Sequence, residues 1–314
     1  MAERTAIIFN PSAGRGKALR KKQTVLDCLK TKKIQYDLFV TRSEAHLIET
    51  TVKVIRDYPV IIGAGGDTTI NIIASEILHL KKGNVLGIIS LGSTNDLARD
   101  IGVNKLENAC DAIIAGVSRS LDVGIITTGN PKKSYTFLAQ ACMGLGVEVN
   151  RYVTAWMMKH RLLSRLHSTA QLIAGVAGIY NSFKTKAVPM NLELKASDIS
   201  RSINSPLLVF NNTSLFAGQF RPSPAANPTD GKLDCCIFNT PTFSRFFKAA
   251  LQVNSQKHLQ NNQAQVLQDD YFRIHSPQPF EFQVDGEVVG SNGDIEVSIK
   301  PGALKVIINQ KEKK

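Results

Sequence analysis

The sequence predicts an α/β domain with a mostly parallel sheet, followed by a second domain of antiparallel β-structure. Up to about residue 122, short apolar runs alternate with amphipathic helical patterns, which is typical of β-α-β units. Beyond this point strands and turns predominate. Phe280, Phe282 and Val284, for example, alternate with polar residues at the period of a half-buried strand. We therefore expect domains at residues 1–122 and 123–314, with room for the last residues to pack back on the first domain.

The elements of the first domain follow from its apolar periodicity. Buried strands are predicted where short apolar runs occur, at residues 6–9, 36–40, 60–62 and 85–90. Amphipathic helices are predicted between and after them, at residues 17–32, 44–56 and 70–78, and again beyond 96. The carboxyl ends of such strands are where open α/β sheets bind ligands.

In the second domain, four segments have the composition of strands, and one long segment has that of helix. The predicted strands are at residues 122–127, 135–143, 207–210 and 280–284. The helical region covers about 147–183. A β-rich domain interrupted by one helical region is therefore expected.

Composition narrows the class of protein. The 314 residues are 43% hydrophobic and 20% charged, which suits a folded chain with two cores. The net charge of +12 favours an anionic partner. The five cysteines show no CxxC spacing, which favours a reducing compartment, and the most apolar segment, 172–180, is about half a membrane span. We expect a cytoplasmic protein that is soluble or peripheral.

Three glycine-containing loops follow predicted strands: NPSAGRG at 10–16, GGDTTIN at 65–71 and GSTNDLAR at 92–99. Glycine permits close approach of the backbone to a phosphate, and each following helix begins with a positive dipole end. Asp67 can hold Mg²⁺ and Thr69 adds a hydroxyl group. The alternatives are an ordinary strand–helix turn for the first loop and a helix N-cap role for Asp67.

Two downstream segments, TDGKLD at 229–234 and DGE at 285–287, would each be an ordinary Asp-Gly turn on their own. In this order, however, all five segments resemble the diacylglycerol-kinase catalytic family, which includes bacterial lipid kinases and the sphingosine and ceramide kinases. The resemblance covers nearly the whole chain. It implies a Rossmann-like first domain of the NAD-kinase and phosphofructokinase type, ATP and Mg²⁺ as cofactors, and a β-rich domain for the lipid substrate.

The resemblance also implies roles for individual residues. Glu287 would be the general base for the lipid hydroxyl, with Mg²⁺ held near Asp67. Asp230 would bind a structural Mg²⁺ with the backbone carbonyls of Asn227 and Lys232. The residues implied to line the nucleotide are Asn10, Pro11, Ser12, Ala13, Gly14, Thr41, Gly65, Gly66, Asp67, Thr68, Thr69, Ile70, Asn71 and Ser93.

One position departs from the family pattern: Thr68 stands where the family loop usually has glycine. A positive φ there would cost threonine about 1–3 kcal/mol, whereas a negative φ would let it add a hydroxyl donor. Three alternatives to an active lipid kinase therefore stay open. They are an impaired member that binds lipid or nucleotide, an NAD kinase, which shares the GGD loop, and a nucleic-acid binder, for which no motif is found.

The helical region carries a second expectation. No acidic residue lies between Glu148 and Glu193, while Arg151, Lys159, Arg161, Arg165, Lys184 and Lys186 accompany Trp156, Met157, Met158, Leu162 and Leu163. Such a composition suits a helix at an anionic bilayer surface, and equally a packing helix with a solvated basic face. We expect peripheral membrane association and a lipid substrate there, and exposed edge strands could support a homodimer.

Overall fold

The computed structural model describes residues 4–159, 167–185 and 188–310. The predicted membrane-facing residues Arg161, Leu162, Leu163, Arg165 and Lys186 lie outside these ranges. Within them, no helix is long and apolar enough to cross a membrane.

The first domain consists of parallel strands joined by helices. Its elements are β1 (Thr5–Phe9), α1 (Lys17–Thr31), β2 (Asp37–Val40), α2 (Glu44–Asp57), β3 (Val60–Gly65), α3 (Asp67–Leu80), β4 (Val85–Ser90), α4 (Asp96–Asp100) and α5 (Leu106–Ala115). The strand order is β4-β3-β1-β2, and every pair is parallel. Because helices cover such a sheet, its strands are apolar throughout, and Ile7, Ile61 and Ile62 are fully buried.

The second domain is mostly antiparallel. Its elements are β5 (Ser118–Thr128), β6 (Ser134–Phe137), β7 (Gln140–Gly144), α6 (Leu145–Lys159), α7 (His167–Lys184), β8 (Met190–Ala196), β9 (Ile199–Ser205), β10 (Leu207–Asn211), β11 (Leu233–Phe238), α8 (Phe243–Gln252), α9 (Lys257–Gln260), β12 (Ala264–Asp269), β13 (Tyr271–Val284) and β14 (Glu287–Ile307). The order β12-β11-β10-β7-β13-β14 contains only antiparallel pairs. The predicted fold class is confirmed.

The long strand β14 joins the two domains. It begins antiparallel to β13, with Glu287 opposite Val284, and its distal end runs parallel to β4, with Lys305 opposite Val85. Leu304, Val306 and Ile307 lie in the hydrophobic core of the first domain. One continuous sheet therefore connects the first domain with the second, β-rich domain.

The prediction of a single strand at 135–143 was wrong, because two strands, β6 and β7, occupy this segment. The chain leaves the ladder at Leu138 and Ala139, whose backbone N–H groups donate to the side chain of Asp285 at 2.8 and 2.9 Å. A side chain therefore replaces a neighbouring strand as the hydrogen-bond partner.

The described part of the helical region packs partly on protein. Helices α6 and α7 contact each other, and Arg151 forms an ion pair with Glu281 of β13. Phe183 of α7 lies against Phe243 and Phe246 of α8, with ring centroids 6.4 and 6.0 Å apart. These contacts fit the packing alternative for this segment, while Tyr180 remains 55% exposed.

Candidate functional site

The first and second glycine-containing loops are joined by the side chain of Asn10. Its backbone N–H donates to the Ala64 carbonyl at 2.9 Å, which continues the β1–β3 ladder. Its side-chain amide donates to the Thr69 hydroxyl at 2.9 Å, and its amide oxygen accepts from the Ser12 N–H at 3.0 Å. Asn10 thus fixes the first loop against the start of α3.

Close backbone contacts explain the glycines of these loops. A Cβ atom on Gly92 would lie 2.6 Å from the Cα of Gly66, so the loops after β3 and β4 touch backbone to backbone. Gly14 has a φ of +59°, and a Cβ there would lie 2.7 Å from the Leu91 carbonyl oxygen. Side chains at Gly14 and Gly92 would therefore push the three loops apart.

Asp67 opens helix α3 and organises the third loop. Its Oδ2 accepts from the Thr94 hydroxyl at 2.6 Å and from the Asn95 N–H at 2.9 Å. Its Oδ1 has no hydrogen bond among the residues described. Gly66, the N-cap of α3, provides no side-chain cap, so the N–H groups of the first turn have no side-chain acceptor from it. This helix end can bind an anion.

Glu287 reaches the same helix end from the other domain. The Thr68 hydroxyl donates to Glu287 Oε1 at 2.7 Å, although the two residues are 219 positions apart in the chain. Thr68 lies inside α3, and its φ is not positive, so the strain considered for threonine at this position does not arise. The two predicted catalytic residues, Asp67 and Glu287, are thereby brought to one edge.

Asp285 fixes the turn that carries Glu287. Its Oδ1 accepts from the N–H groups of Ala139 and Gln140 at 2.9 and 3.0 Å. Its Oδ2 accepts from the Leu138 N–H at 2.8 Å and from the Asn71 amide at 2.7 Å. Burial raises the pKa of the Asp285 carboxyl, and these hydrogen bonds oppose that effect.

A third carboxyl group, that of Asp96, connects the domains. Its Oδ1 accepts from the Gly218 N–H at 2.6 Å and its Oδ2 from the Gln140 amide at 3.0 Å. Burial, and then the negative charge of Asp67, raise the pKa of Asp96 to about 7.

A cavity of about 10 Å³, large enough for one water molecule, lies beside Asp67 and Asp285 and is also lined by Ser90.

The remaining residues predicted to line the nucleotide occupy different surroundings. Ser93 is exposed, whereas Thr41 is only 2% exposed and its hydroxyl donates to the Phe9 carbonyl at 3.3 Å. The side chain of Ile70 packs in the core of the first domain. Asn71 donates to Asp285 and to the Thr136 carbonyl, so its amide serves the contact between the domains.

The residues predicted to bind a structural Mg²⁺ form a separate loop. The Lys232 N–H donates to Asp230 Oδ1 at 3.0 Å, and the Thr229 hydroxyl donates to Asn227 Oδ1 at 2.8 Å. Buried Asp122 holds this loop, because it accepts from the N–H groups of Gly231 and Gly302, both at 2.7 Å. No group of three or more His, Cys, Asp or Glu side chains that could hold a metal occurs in the described ranges.

Sequence reasoning missed the roles of Asp96, Asp122 and Asp285. Asp285 was interpreted only as part of an Asp-Gly turn, and Asp96 only as part of the third glycine-containing loop. The available signal was modest: an aspartate beside a glycine or within a polar loop is compatible with burial as well as with exposure. Their partners lie 44 to 214 positions away, so local pattern could not reveal them.

Models of two protein families match the chain. The diacylglycerol kinase catalytic domain matches residues 4–126. The YegS C-terminal NAD kinase beta sandwich-like domain matches residues 139–308, more than half of the chain.

Several relatives match this chain over most of their length. A diacylglycerol kinase of Bacillus subtilis is 22% identical over 291 residues, covering 92% of this chain and 91% of the relative. The probable lipid kinase YegS of Salmonella arizonae is 25% identical over 249 residues, covering 78% and 76%. The crystal structure of a diacylglycerol kinase from Bacillus anthracis has a TM-score of 0.71 at 16% identity, covering 98% of this chain and 97% of that chain.

Proposed function

The chain belongs to the diacylglycerol kinase family of lipid kinases, and we propose that it transfers the γ-phosphate of ATP to a lipid hydroxyl group such as that of diacylglycerol. One observation carries the proposal. The Glu287 carboxylate of the second domain lies 2.7 Å from the Thr68 hydroxyl, directly beside Asp67 at the start of α3. A proton acceptor and an anion-binding helix end are therefore neighbours, as phosphoryl transfer to an alcohol requires.

The phosphates of ATP would bind where the three glycine-containing loops meet. The uncapped first turn of α3 supplies backbone N–H donors, and the contact between Gly66 and Gly92 leaves no side chain to block them. Asn10 and Thr69 hold the first loop in place, and Ser93 is exposed at the rim. The helix dipole adds attraction for negative charge.

The donor chemistry at Asp67 fits a magnesium ion. Its Oδ1 is uncommitted among the residues described, and carboxylate oxygen is a hard ligand of the kind Mg²⁺ prefers. Mg²⁺ bound there with the phosphates would neutralise charge that develops during transfer. The Asp230 loop also has oxygen donors only, its carboxylate and the carbonyls of Asn227 and Lys232, and would hold a second, structural ion.

Glu287 would act as general base. As the oxygen of the lipid hydroxyl forms a bond to the γ-phosphorus, its proton passes to a carboxylate oxygen of Glu287. The bond between the γ-phosphorus and the bridging oxygen breaks, and its electron pair leaves with ADP. Because the transition state of phosphoryl transfer is loose, position contributes more than basicity.

We place the lipid acceptor on the β-rich domain and the protein at an anionic membrane surface in the cytoplasm. The net charge of +12 favours approach to such a surface. Ile173 and Tyr180 of α7 are exposed apolar side chains, and Lys184 of the same helix is also exposed. The kind of acceptor lipid is decided by the experiment below.

The test is transfer of label from γ-labelled ATP with Mg²⁺ into mixed micelles that contain dioleoylglycerol, phosphatidylglycerol or a sphingoid base. We expect label in one lipid class with the wild type. Glu287→Gln keeps the volume and a hydrogen-bond acceptor for Thr68 but removes the base, so turnover should fall on the order of 100-fold.

Glu107→Gln, the same change at an exposed position of α5, is the matched control and should keep wild-type turnover. Label in NAD and in no lipid would make the protein an NAD kinase. ATP binding without transfer to any lipid would make it an impaired member, and equal turnover in Glu287→Gln would remove Glu287 as base.

A further inference from the structure

We infer that Thr68 is a positioning residue for the carboxylate of Glu287, an inference that rests on the proposed phosphoryl transfer. The Thr68 hydroxyl donates to Glu287 Oε1 at 2.7 Å across the boundary between the two domains. Glycine is usual at this place in the diacylglycerol kinase family, and it has no side chain with which to make this contact. In this chain the phosphate loop itself therefore holds the base.

The side chain of Glu287 needs such a partner. Its residue is exposed, and Thr68 is its one side-chain hydrogen-bond partner within the described ranges. A free glutamate side chain samples many rotamers, and fixing it costs entropy that a hydrogen bond can offset. Without Thr68, the carboxylate would spend much of its time away from the start of α3.

Thr68 is well suited to fix a partner. It is the second residue of α3, where the helical backbone is regular, and its branched Cβ restricts χ1 to few rotamers. The same helix turn is anchored on both sides, by Asp67 to Thr94 and by Thr69 to Asn10. The hydroxyl group is therefore attached to a rigid support.

The backbone of Glu287 is anchored independently. Gly286, at φ +88°, turns the chain into β14, and its carbonyl accepts from the Asn150 amide at 2.7 Å. Asp285, the residue before Gly286, is itself held by four hydrogen bonds to its carboxylate. Only the side-chain torsions of Glu287 remain to be set, and the Thr68 bond to Oε1 sets them while Oε2 stays available for the proton.

The experiment compares the full-length wild type with Thr68→Val and Thr68→Ser in the micelle assay, using the lipid that wild type phosphorylates. Valine keeps the shape of threonine but removes the hydroxyl group. We expect kcat to fall roughly ten-fold in Thr68→Val with the KM for ATP unchanged, because geometry rather than nucleotide binding is lost. Thr68→Ser should restore kcat to within roughly threefold, since it keeps the donor with a less restricted torsion.

A second readout does not depend on turnover. Losing one hydrogen bond should lower Tm by about 2 °C in Thr68→Val, and this drop should vanish when Glu287 is already alanine. Thr31→Val is the same change at an exposed helix position in α1 and serves as the control. It should leave kcat unchanged, and its effect on Tm should be the same whether residue 287 is glutamate or alanine.

The inference and the proposed function fail in different ways. A wild type that phosphorylates no lipid overturns both. If the wild type is active and Thr68→Val has unchanged or faster turnover, the positioning role alone is overturned. Faster turnover would mean that the hydroxyl group holds the Glu287 carboxylate in an unproductive position. An equal loss of Tm with and without Glu287 shows that the contact is not made.

Discussion

Replacing Asp285 with alanine would remove one acceptor group that serves four donors. These are the backbone N–H groups of Leu138, Ala139 and Gln140 and the side-chain amide of Asn71, at 2.7 to 3.0 Å. Leu138, Ala139 and Gln140 are buried, so bulk water does not replace the lost acceptor at their N–H groups. Each buried donor left without a partner costs about 1–3 kcal/mol.

The net cost is smaller than four such penalties. The adjoining cavity of about 10 Å³ would grow when the carboxyl group is removed, and one entering water could accept from two of the four donors. Two unsatisfied donors would remain, which gives about 4 kcal/mol of lost stability. At about 2–4 °C per kcal/mol for a domain of this size, the expected fall in Tm is on the order of 10 °C.

Asp285→Asn separates volume from hydrogen bonding. The asparagine oxygen can keep two of the donors, but its amide nitrogen faces the other two with its own N–H groups, so two donors again lack an acceptor and a cost close to that of alanine, about 4 kcal/mol, is expected without a change of volume. Turnover should fall in both variants, because the turn that carries Glu287 loses its anchor.

The assay is thermal and urea unfolding of full-length protein, followed by the micelle kinase assay on the folded fraction. Asp198→Ala, a change at an exposed position between β8 and β9, is the control. A loss below about 1 kcal/mol in Asp285→Ala would refute the reasoning, since it would mean that the four donors find other partners.

Three further outcomes follow from the site. The pKa of Asp96 is raised to about 7 in the folded protein, so its contribution to stability is fully present below the unfolded pKa of about 4. That contribution, up to about 4 kcal/mol, is lost as pH rises from about 4 through 7. The Tm of the wild type should therefore fall over this pH window, and the Tm of Asp96→Asn should change less. Gly92→Ala should weaken binding of an unreactive ATP analogue, by calorimetry, more than Gly66→Ala, because the added Cβ would meet backbone at 2.6 Å rather than 3.2 Å. Millimolar Mg²⁺ should raise Tm of wild type, and Asp230→Asn should abolish the increase if this loop binds the ion.

The fold class could be predicted because the strands of the first domain are short apolar runs between amphipathic helices. Other elements were hidden by their own composition. Strand β14 spans 21 residues but contains Gly293, Pro301 and Gly302, which are turn signals in a local reading. The six-residue strand β11, LDCCIF, is buried throughout and lacks the alternation that marks a half-buried strand.

The site was predictable in its loops and not in its contacts. Glycine and aspartate after a strand indicate phosphate chemistry from local physics, so Gly66 and Asp67 could be named. The sign of φ at Thr68 could not, because glycine, which is usual at this place in the family, adopts either sign. The four bonds of Asp285 join positions up to 214 apart, and such pairings depend on the tertiary fold.

Three contacts at different levels determine where Glu287 lies, and each fixes a different degree of freedom. Strand β14 carries Val306 into the core of the first domain, which sets the strand; Asp285 sets the turn; Thr68 sets the side chain. Truncating Val306 should mainly lower the stability of the protein, since a fully buried side chain is lost. Removing the second should reduce stability and turnover together, and removing the third should reduce turnover at nearly unchanged stability. If the three losses instead shared one ratio of stability to turnover, Glu287 would be positioned by the fold as a whole, and Thr68 would have no separate part in it.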